Sequence, residues 1–134
     1  MKNKSQKIGI LGYGEVGQAI SKFYHNPKIK DLRRDDELNS VDVLNICIPW
    51  SENFLSIAEK EIKAIKPKLV IIHSTVTPGT TKKLSDKFGG RVVHSPIRGV
   101  HPKLYEGIKT FVKYIGADKA KFGNIAKKHL ASLG

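Results

Sequence analysis

Residues 8–17 read Ile8-Gly9-Ile10-Leu11-Gly12-Tyr13-Gly14-Glu15-Val16-Gly17. A short apolar run ends at Leu11 and meets a Gly-x-Gly-x-x-Gly turn. Beyond it, Val16, Ala19, Ile20, Phe23 and Tyr24 fall on one helical stripe. Strand, glycine turn and helix, in that order, form the setting in which this motif holds a dinucleotide. Gly12 permits the tight turn, Gly14 lets a diphosphate approach the backbone, and Gly17 lets the helix pack close to the strand. The N–H groups at the helix start favour an anion. The same spacing also occurs as a plain glycine-rich turn in other parallel α/β proteins, so the rest of the chain has to support the reading.

Working outward, strand and helix signals alternate from end to end. The first strand is predicted over Lys7–Leu11 and the first helix over Gly14–His25, stopped by Asn26-Pro27. A second strand follows over Lys28–Leu32. The polar run Arg33–Ser40 is too short for a full helix and strand, so this crossover is abbreviated. Val41–Ile48 is almost continuously apolar, as a strand buried on both faces should be. Ser51 is placed to cap the next helix, with Glu52 in its first turn and Phe54, Ala58, Ile62 and Ile65 as its inner stripe. Pro67 ends that helix. Leu69–His73 is the next buried strand, followed by a helix with Thr77 as its cap, Pro78 at its first position and Leu84 and Phe88 facing inward. Arg91–His94 reads as a strand, Pro96–Gly107 as a long loop and Phe111–Ile115 as a last strand. A closing helix over Asp118–Leu133 carries Phe122, Ala126, Leu130 and Leu133 on one face. The pattern predicts an α/β fold: a doubly wound, mostly parallel sheet of the Rossmann type, with helices on both faces. The 134 residues are sized for one domain, 1–134, with no separate substrate domain.

Composition narrows the field. The chain carries 24 Lys and Arg against 12 Asp and Glu, a formal net charge of +12. Those cations are spread along the chain and are not interleaved with aromatic residues, so a nucleic-acid-binding role stands third among the readings. No apolar run is long enough to span a bilayer, and residues 1–7 lack the apolar core of a signal peptide, so a cytoplasmic protein is expected. Cys47 is the one cysteine. It sits inside an apolar strand, where a small buried core residue is the expectation. No metal site is predicted, because His73 and His94 lack ligand spacing.

In doubly wound sheets, ligands lie beyond the carboxyl ends of the strands. That rule gathers Gly12, Tyr13, Gly14, Glu15, Val16 and Gly17 with Asp31, Arg33, Ile48, Pro49, Ser74 and Thr75 as the cofactor-binding set. Asp31 follows Gly12 by about 20 residues, the spacing at which a carboxylate accepts hydrogen bonds from an adenosine ribose and favours NAD. Arg33 and Arg34 follow at once and leave NADP open, through a 2′-phosphate or stacking on adenine. The run Ser74-Thr75-Val76-Thr77-Pro78-Gly79-Thr80-Thr81 brings hydroxyls and helix N–H groups toward the crevice. No catalytic set is defined. Thr75, Arg98 and His101 are the candidates, Arg98 as a bidentate anion holder and His101 as a base near neutral pH.

Three segments together resemble the UDP-glucose/GDP-mannose dehydrogenase family, in its NAD-binding N-terminal domain. They are the glycine turn (8–17), His-Ser-Thr-Val-Thr-Pro-Gly-Thr-Thr (73–81) and Ser-Pro-Ile-Arg-Gly (95–99). The strand Val-Asp-Val-Leu-Asn-Ile-Cys-Ile-Pro (41–49) fits as well. The broader relatives are the 6-phosphogluconate-dehydrogenase-like NAD(P) domains. The resemblance implies NAD on Gly12, Gly14 and Gly17, its ribose near Asp31, and Thr75 by the nicotinamide. It also implies a nucleotide-sugar or other anionic substrate and a homodimer or partner chain. Two departures stand out. Ile97 occupies the place of the family's reactive glutamate, and Cys47 is not where the family's catalytic cysteine lies, in a later domain. Oxidising an alcohol through to an acid needs a thiol to hold the aldehyde stage. The expected activity is therefore that of a dinucleotide-binding domain of an oxidoreductase, incomplete for catalysis alone. A non-catalytic cofactor-binding or regulatory module is the alternative.

Overall fold

The computed structural model describes residues 6–95, 116–117 and 120–131. Its elements are β1 (Ile8–Leu11), α1 (Glu15–Ser21), β2 (Lys28–Asp31), β3 (Arg34–Asp35), β4 (Val43–Ile46), α2 (Phe54–Ile65), β5 (Leu69–Ile72), α3 (Thr80–Lys87), β6 (Val92–His94), β7 (Gly116–Ala117) and α4 (Ala120–Ala131). Among the described residues the strands form one sheet in the order β3-β2-β1-β4-β5-β6-β7. The run from β2 to β6 is parallel, while β3 and β7 close the two edges antiparallel. This is the doubly wound arrangement that the alternating pattern predicts.

Its cause is visible in the side chains. All four residues of β4 and of β5 are buried, so these strands carry apolar surface on both faces and need helices on each. One face packs Leu44, Ile46, Val70 and Ile72 against Phe54, Ala58, Ile62 and Ile65 of α2 and Leu84 of α3. The other face takes α1 over Ile10 and Ile29, and α4 (Ala126, Leu130) over Val43, Ile71 and Val93. The abbreviated crossover after β2 is a tight hairpin into β3. In place of a crossover helix, Leu38 and Val41 fold back onto the α2 face. They lie so close over β1 that a Cβ at Gly9 would be 3.1 Å from Val41 and 3.3 Å from Leu38.

Several boundaries differ from those predicted. Helix α1 stops at Ser21 rather than running to His25. Ser21 bonds back to the Gln18 carbonyl at 2.7 Å, and the next amides turn onto carbonyls three residues back, tightening the chain so that Phe23 and Tyr24 still reach the core. Ser51 does not cap α2 directly. Its hydroxyl accepts the Asn53 amide at 3.2 Å in a preceding turn, Asn53 is the capping position, and Glu52 lies outside the helix. Helix α3 starts at Thr80 rather than at Pro78, from Gly79 at φ 88°, and the Thr77 hydroxyl meets that of Thr80 at 3.0 Å. In both places a turn inserts between strand and helix. The inner stripe of α2 is buried as predicted, and Lys66 ends the helix in the left-handed conformation (φ 56°) just before Pro67. The predicted loop at 96–107, the strand at 111–115 and Leu133 lie outside the described residues. Within those residues no helix is long and apolar enough to cross a membrane.

Candidate dinucleotide site

The carboxyl edge of the sheet brings together the exits of β2, β1, β4 and β5, in that spatial order. At the exit of β1 the three motif glycines take different roles. Gly12 turns at φ 98°, and a Cβ there would sit 2.8 Å from the Ile48 amide nitrogen. Gly17 lies directly on this turn, where a Cβ would be 2.0 Å from the Gly12 carbonyl oxygen. Gly14 has no heavy atom within 4 Å of its would-be Cβ. Two glycines thus seal helix, turn and sheet against one another, and the third leaves backbone open to an approaching group. Helix α1 has only seven residues. Its dipole is a small contribution, and the open backbone at Gly14 is the stronger argument. Gln18 steadies the turn by donating its amide to the Tyr13 carbonyl at 3.1 Å.

Asp31, at the end of β2, reaches this turn. Its Oδ1 accepts the Tyr13 amide at 3.1 Å, and its Oδ2 has no hydrogen-bond partner among the described residues. Arg34, not Arg33, lies over the Tyr13 ring, 5.9 Å from its centroid. It is pinned there by Asp36, 2.8 Å away, and that pairing raises the Arg34 pKa and lowers that of Asp36. Arg33 and Glu15 are exposed, and Val16 packs partly on the α1-side core.

At the β4 and β5 exits, the Ser74 hydroxyl donates to the Ile48 carbonyl and so ties the two crests together. Its proton is therefore committed within the protein. Thr75 beside it is exposed, as is Pro49. A pair of imidazoles clamps the next two exits: His94 Nε2 lies 2.9 Å from the Ser74 carbonyl, and His73 Nδ1 lies 3.1 Å from that of Ser95. Arg98, His101 and Ile97 lie outside the described residues.

The sequence reasoning passed over a buried polar network behind this edge. Asn45, fully buried in β4, donates to the Gly9 carbonyl at 3.3 Å. Its Oδ1 faces His73 Nε2 at 2.8 Å and the Tyr24 hydroxyl at 3.4 Å, and that hydroxyl lies 2.7 Å from His129 Nε2 on α4. The signal was an asparagine inside Val-Leu-Asn-Ile, because an amide in an apolar strand must be partnered. Burial pushes the His73 pKa down from 6.5 to about 4, and lowers that of His129. The unfolded chain therefore takes up the His73 proton first as the pH falls. The contribution of His73 to folding stability is complete above pH 6.5 and declines toward pH 4. Denaturant titrations across that range should show the decline, with a shallower slope in His73→Gln. A flat profile would contradict the lowered His73 pKa. Cys47 is buried next to the glycine turn, and its thiol pKa is raised by that burial, which leaves it a core residue and not a nucleophile.

With this geometry in place, the likenesses to known proteins take on meaning. No family model matches the sequence. Over 133 residues the chain is 29% identical to the UDP-N-acetyl-D-mannosamine dehydrogenase of Pyrococcus horikoshii, covering 85% of this chain and 32% of that protein. The solved UDP-D-ManNAc dehydrogenase from the same organism superposes with a TM-score of 0.78 at 21% identity, over 96% of this chain and 45% of the other. The 3-hydroxyisobutyrate dehydrogenase of Mycobacterium tuberculosis gives 0.74 at 16% identity, over 96% and 51%. The chain thus has a Rossmann-type α/β fold. It spans 32% of the length of the curated relative and 45% of the solved one.

Proposed function

We propose that the chain binds a nicotinamide dinucleotide across the exits of β2, β1, β4 and β5, as the cofactor domain of a nucleotide-sugar-dehydrogenase-like oxidoreductase. One observation carries the reading: the backbone at Gly14 is open while Gly12 and Gly17 are locked by contact. A diphosphate needs close approach to backbone, and that is the one glycine of the motif where space is kept for it. When bound, the nicotinamide would supply hydride acceptance. The chain's own groups bind and orient. Asp31 keeps an oxygen for the adenosine ribose diol, which favours NAD over NADP. The exposed Arg33 would tolerate a 2′-phosphate, and Thr75 stands at the crest where the nicotinamide end would lie.

The P. horikoshii relatives are UDP-N-acetylmannosamine dehydrogenases, so a nucleotide sugar is the proposed substrate class, taken up with a further domain or a partner chain. A second reading, a cofactor-binding module without turnover, is favoured by the burial of Cys47. Calorimetric titration with NAD and NADP tests the proposal. NAD should bind in the micromolar-to-millimolar range and more tightly than NADP. Asp31→Ala should weaken NAD roughly 10-fold, a change of about 1.4 kcal/mol, and leave NADP nearly unchanged. Absence of binding by a folded protein to either nucleotide would overturn the proposal.

A further inference from the structure

The 24 Lys and Arg residues are dispersed in sequence, but the fold collects several of them on the helices that cover one face of the sheet. Helices α2 and α3 lie side by side there. Lys87 of α3 meets Glu59 of α2 at 3.0 Å, which identifies the flanks that face each other. Residues four apart share a helix flank, so Lys63 lines the same seam as Glu59, and Lys83 the same seam as Lys87. Lys60 stands beside them on α2 and Lys66 at its end. Lys60, Lys63, Lys66 and Lys83 are all exposed. The carboxylates nearby are already engaged. Glu59 holds Lys87, and Asp86 lies 3.4 Å from Lys82. Glu61 is turned to the other flank of α2, where it meets Lys30 of β2 at 2.9 Å. Lys60, Lys63, Lys66 and Lys83 have no carboxylate partner among the described residues.

We propose that this α2–α3 seam binds the phosphate backbone of duplex nucleic acid without reading its sequence. Helix positions three or four apart are about 5–6 Å from one another, and packed helices lie about 8–10 Å apart. The four lysines therefore cover a patch that meets several phosphates of a duplex, which carries one charge per about 1.7 Å of its axis. The other chemistry of the seam decides among anionic partners. Ile57, the exposed apolar residue of α2, lies four residues before Glu61 and so on the β2 flank, away from the seam. Among the described residues the seam thus offers no apolar side chain to insert into a lipid surface or to anchor a protein interface. Phe88, at the end of α3, packs on the core, so it is not a platform for the unstacked bases of a single strand. Cations without apolar or aromatic neighbours suit backbone phosphate. The seam lies on a helix-covered face and not at the carboxyl edge of the sheet, so the proposal does not rest on the cofactor reading.

Fluorescence polarization of a labelled short DNA duplex, titrated with the full chain, tests the proposal. Four phosphate contacts predict that log Kobs falls against log[salt] with a slope of about −3.6, a loss of roughly 100-fold between about 50 and 200 mM salt. The triple variant Lys60→Gln, Lys63→Gln, Lys83→Gln, at exposed positions, should make the slope shallower by about 2.7 and weaken binding at about 50 mM salt by roughly 10-fold or more. A second triple variant, Lys121→Gln, Lys127→Gln, Lys128→Gln, removes the same charge from exposed positions of α4 on the opposite face of the sheet. It should change the affinity about 2-fold or less, because charges that far from the duplex are screened. Equal losses in the two triple variants would mean attraction to net charge alone and would overturn the seam. A folded wild-type chain that leaves the duplex unbound at about 50 mM salt would also overturn it, and would do so even if that chain bound phosphatidylserine vesicles or polyglutamate. Tighter binding to single-stranded oligothymidine than to the duplex would overturn the duplex assignment. The assay contains no dinucleotide, so its failure leaves the cofactor reading untouched.

Discussion

Gly17→Ala should unfold this protein or come close to it. The added methyl would lie 2.0 Å from the Gly12 carbonyl oxygen and 2.9 Å from the Gly12 carbonyl carbon, well inside contact distance. The turn cannot retreat, because Gly12 is itself 2.8 to 3.0 Å, measured from its own would-be Cβ, from the Cys47–Ile48 backbone. Helix α1 has to lift instead, which strips Ala19 and Ile20 from Ile10 and Ile29. Overpacking of this kind costs about 3 kcal/mol or more, a large share of a domain's total stability. The expected thermal shift is about 10 °C downward, or loss of soluble protein. A melting temperature within about 2 °C of wild type would refute the close helix–turn contact.

Gly14→Val should do the reverse. Nothing lies within 4 Å of the new Cβ, and Gly14 has a negative φ of −80° in extended backbone. Stability should change by less than about 1 kcal/mol. The side chain would, however, occupy the space that a diphosphate must enter. NAD affinity should drop about 100-fold or beyond detection, a loss of about 2.7 kcal/mol or more. The two variants differ by three positions in one motif and separate folding from binding. If Gly14→Val retained wild-type affinity, the dinucleotide would have to lie elsewhere.

The order of elements was legible because both periodicities are strong here. Fully apolar strands (Leu69–Ile72) alternate with a stripe such as Phe54, Ala58, Ile62 and Ile65, and each could be satisfied only by a sheet covered on two sides. The glycine turn was legible because each glycine answers a separate steric demand. Helix starts were not, because Ser51 and Thr77 spend their hydroxyls on turns that precede the helices. Sequence offers the capping residue but not the turn geometry that engages it. Ser74 was expected to face a ligand, but its hydroxyl serves the Ile48 carbonyl, a contact between strands 26 residues apart in the chain. The Asn45–His73–Tyr24–His129 network joins β4, the exit of β5 and the turn after α1 to helix α4, and only the fold brings those four side chains together.

The central claim is that the peptide N–H groups from Gly14 to Gly17 cradle a diphosphate. Backbone amide signals followed by NMR during titration of the wild-type protein with NAD test it most directly. The account predicts that the largest, saturable shifts fall on residues 13–17 and on Asp31. Saturable NAD binding that leaves those amides unmoved would contradict it.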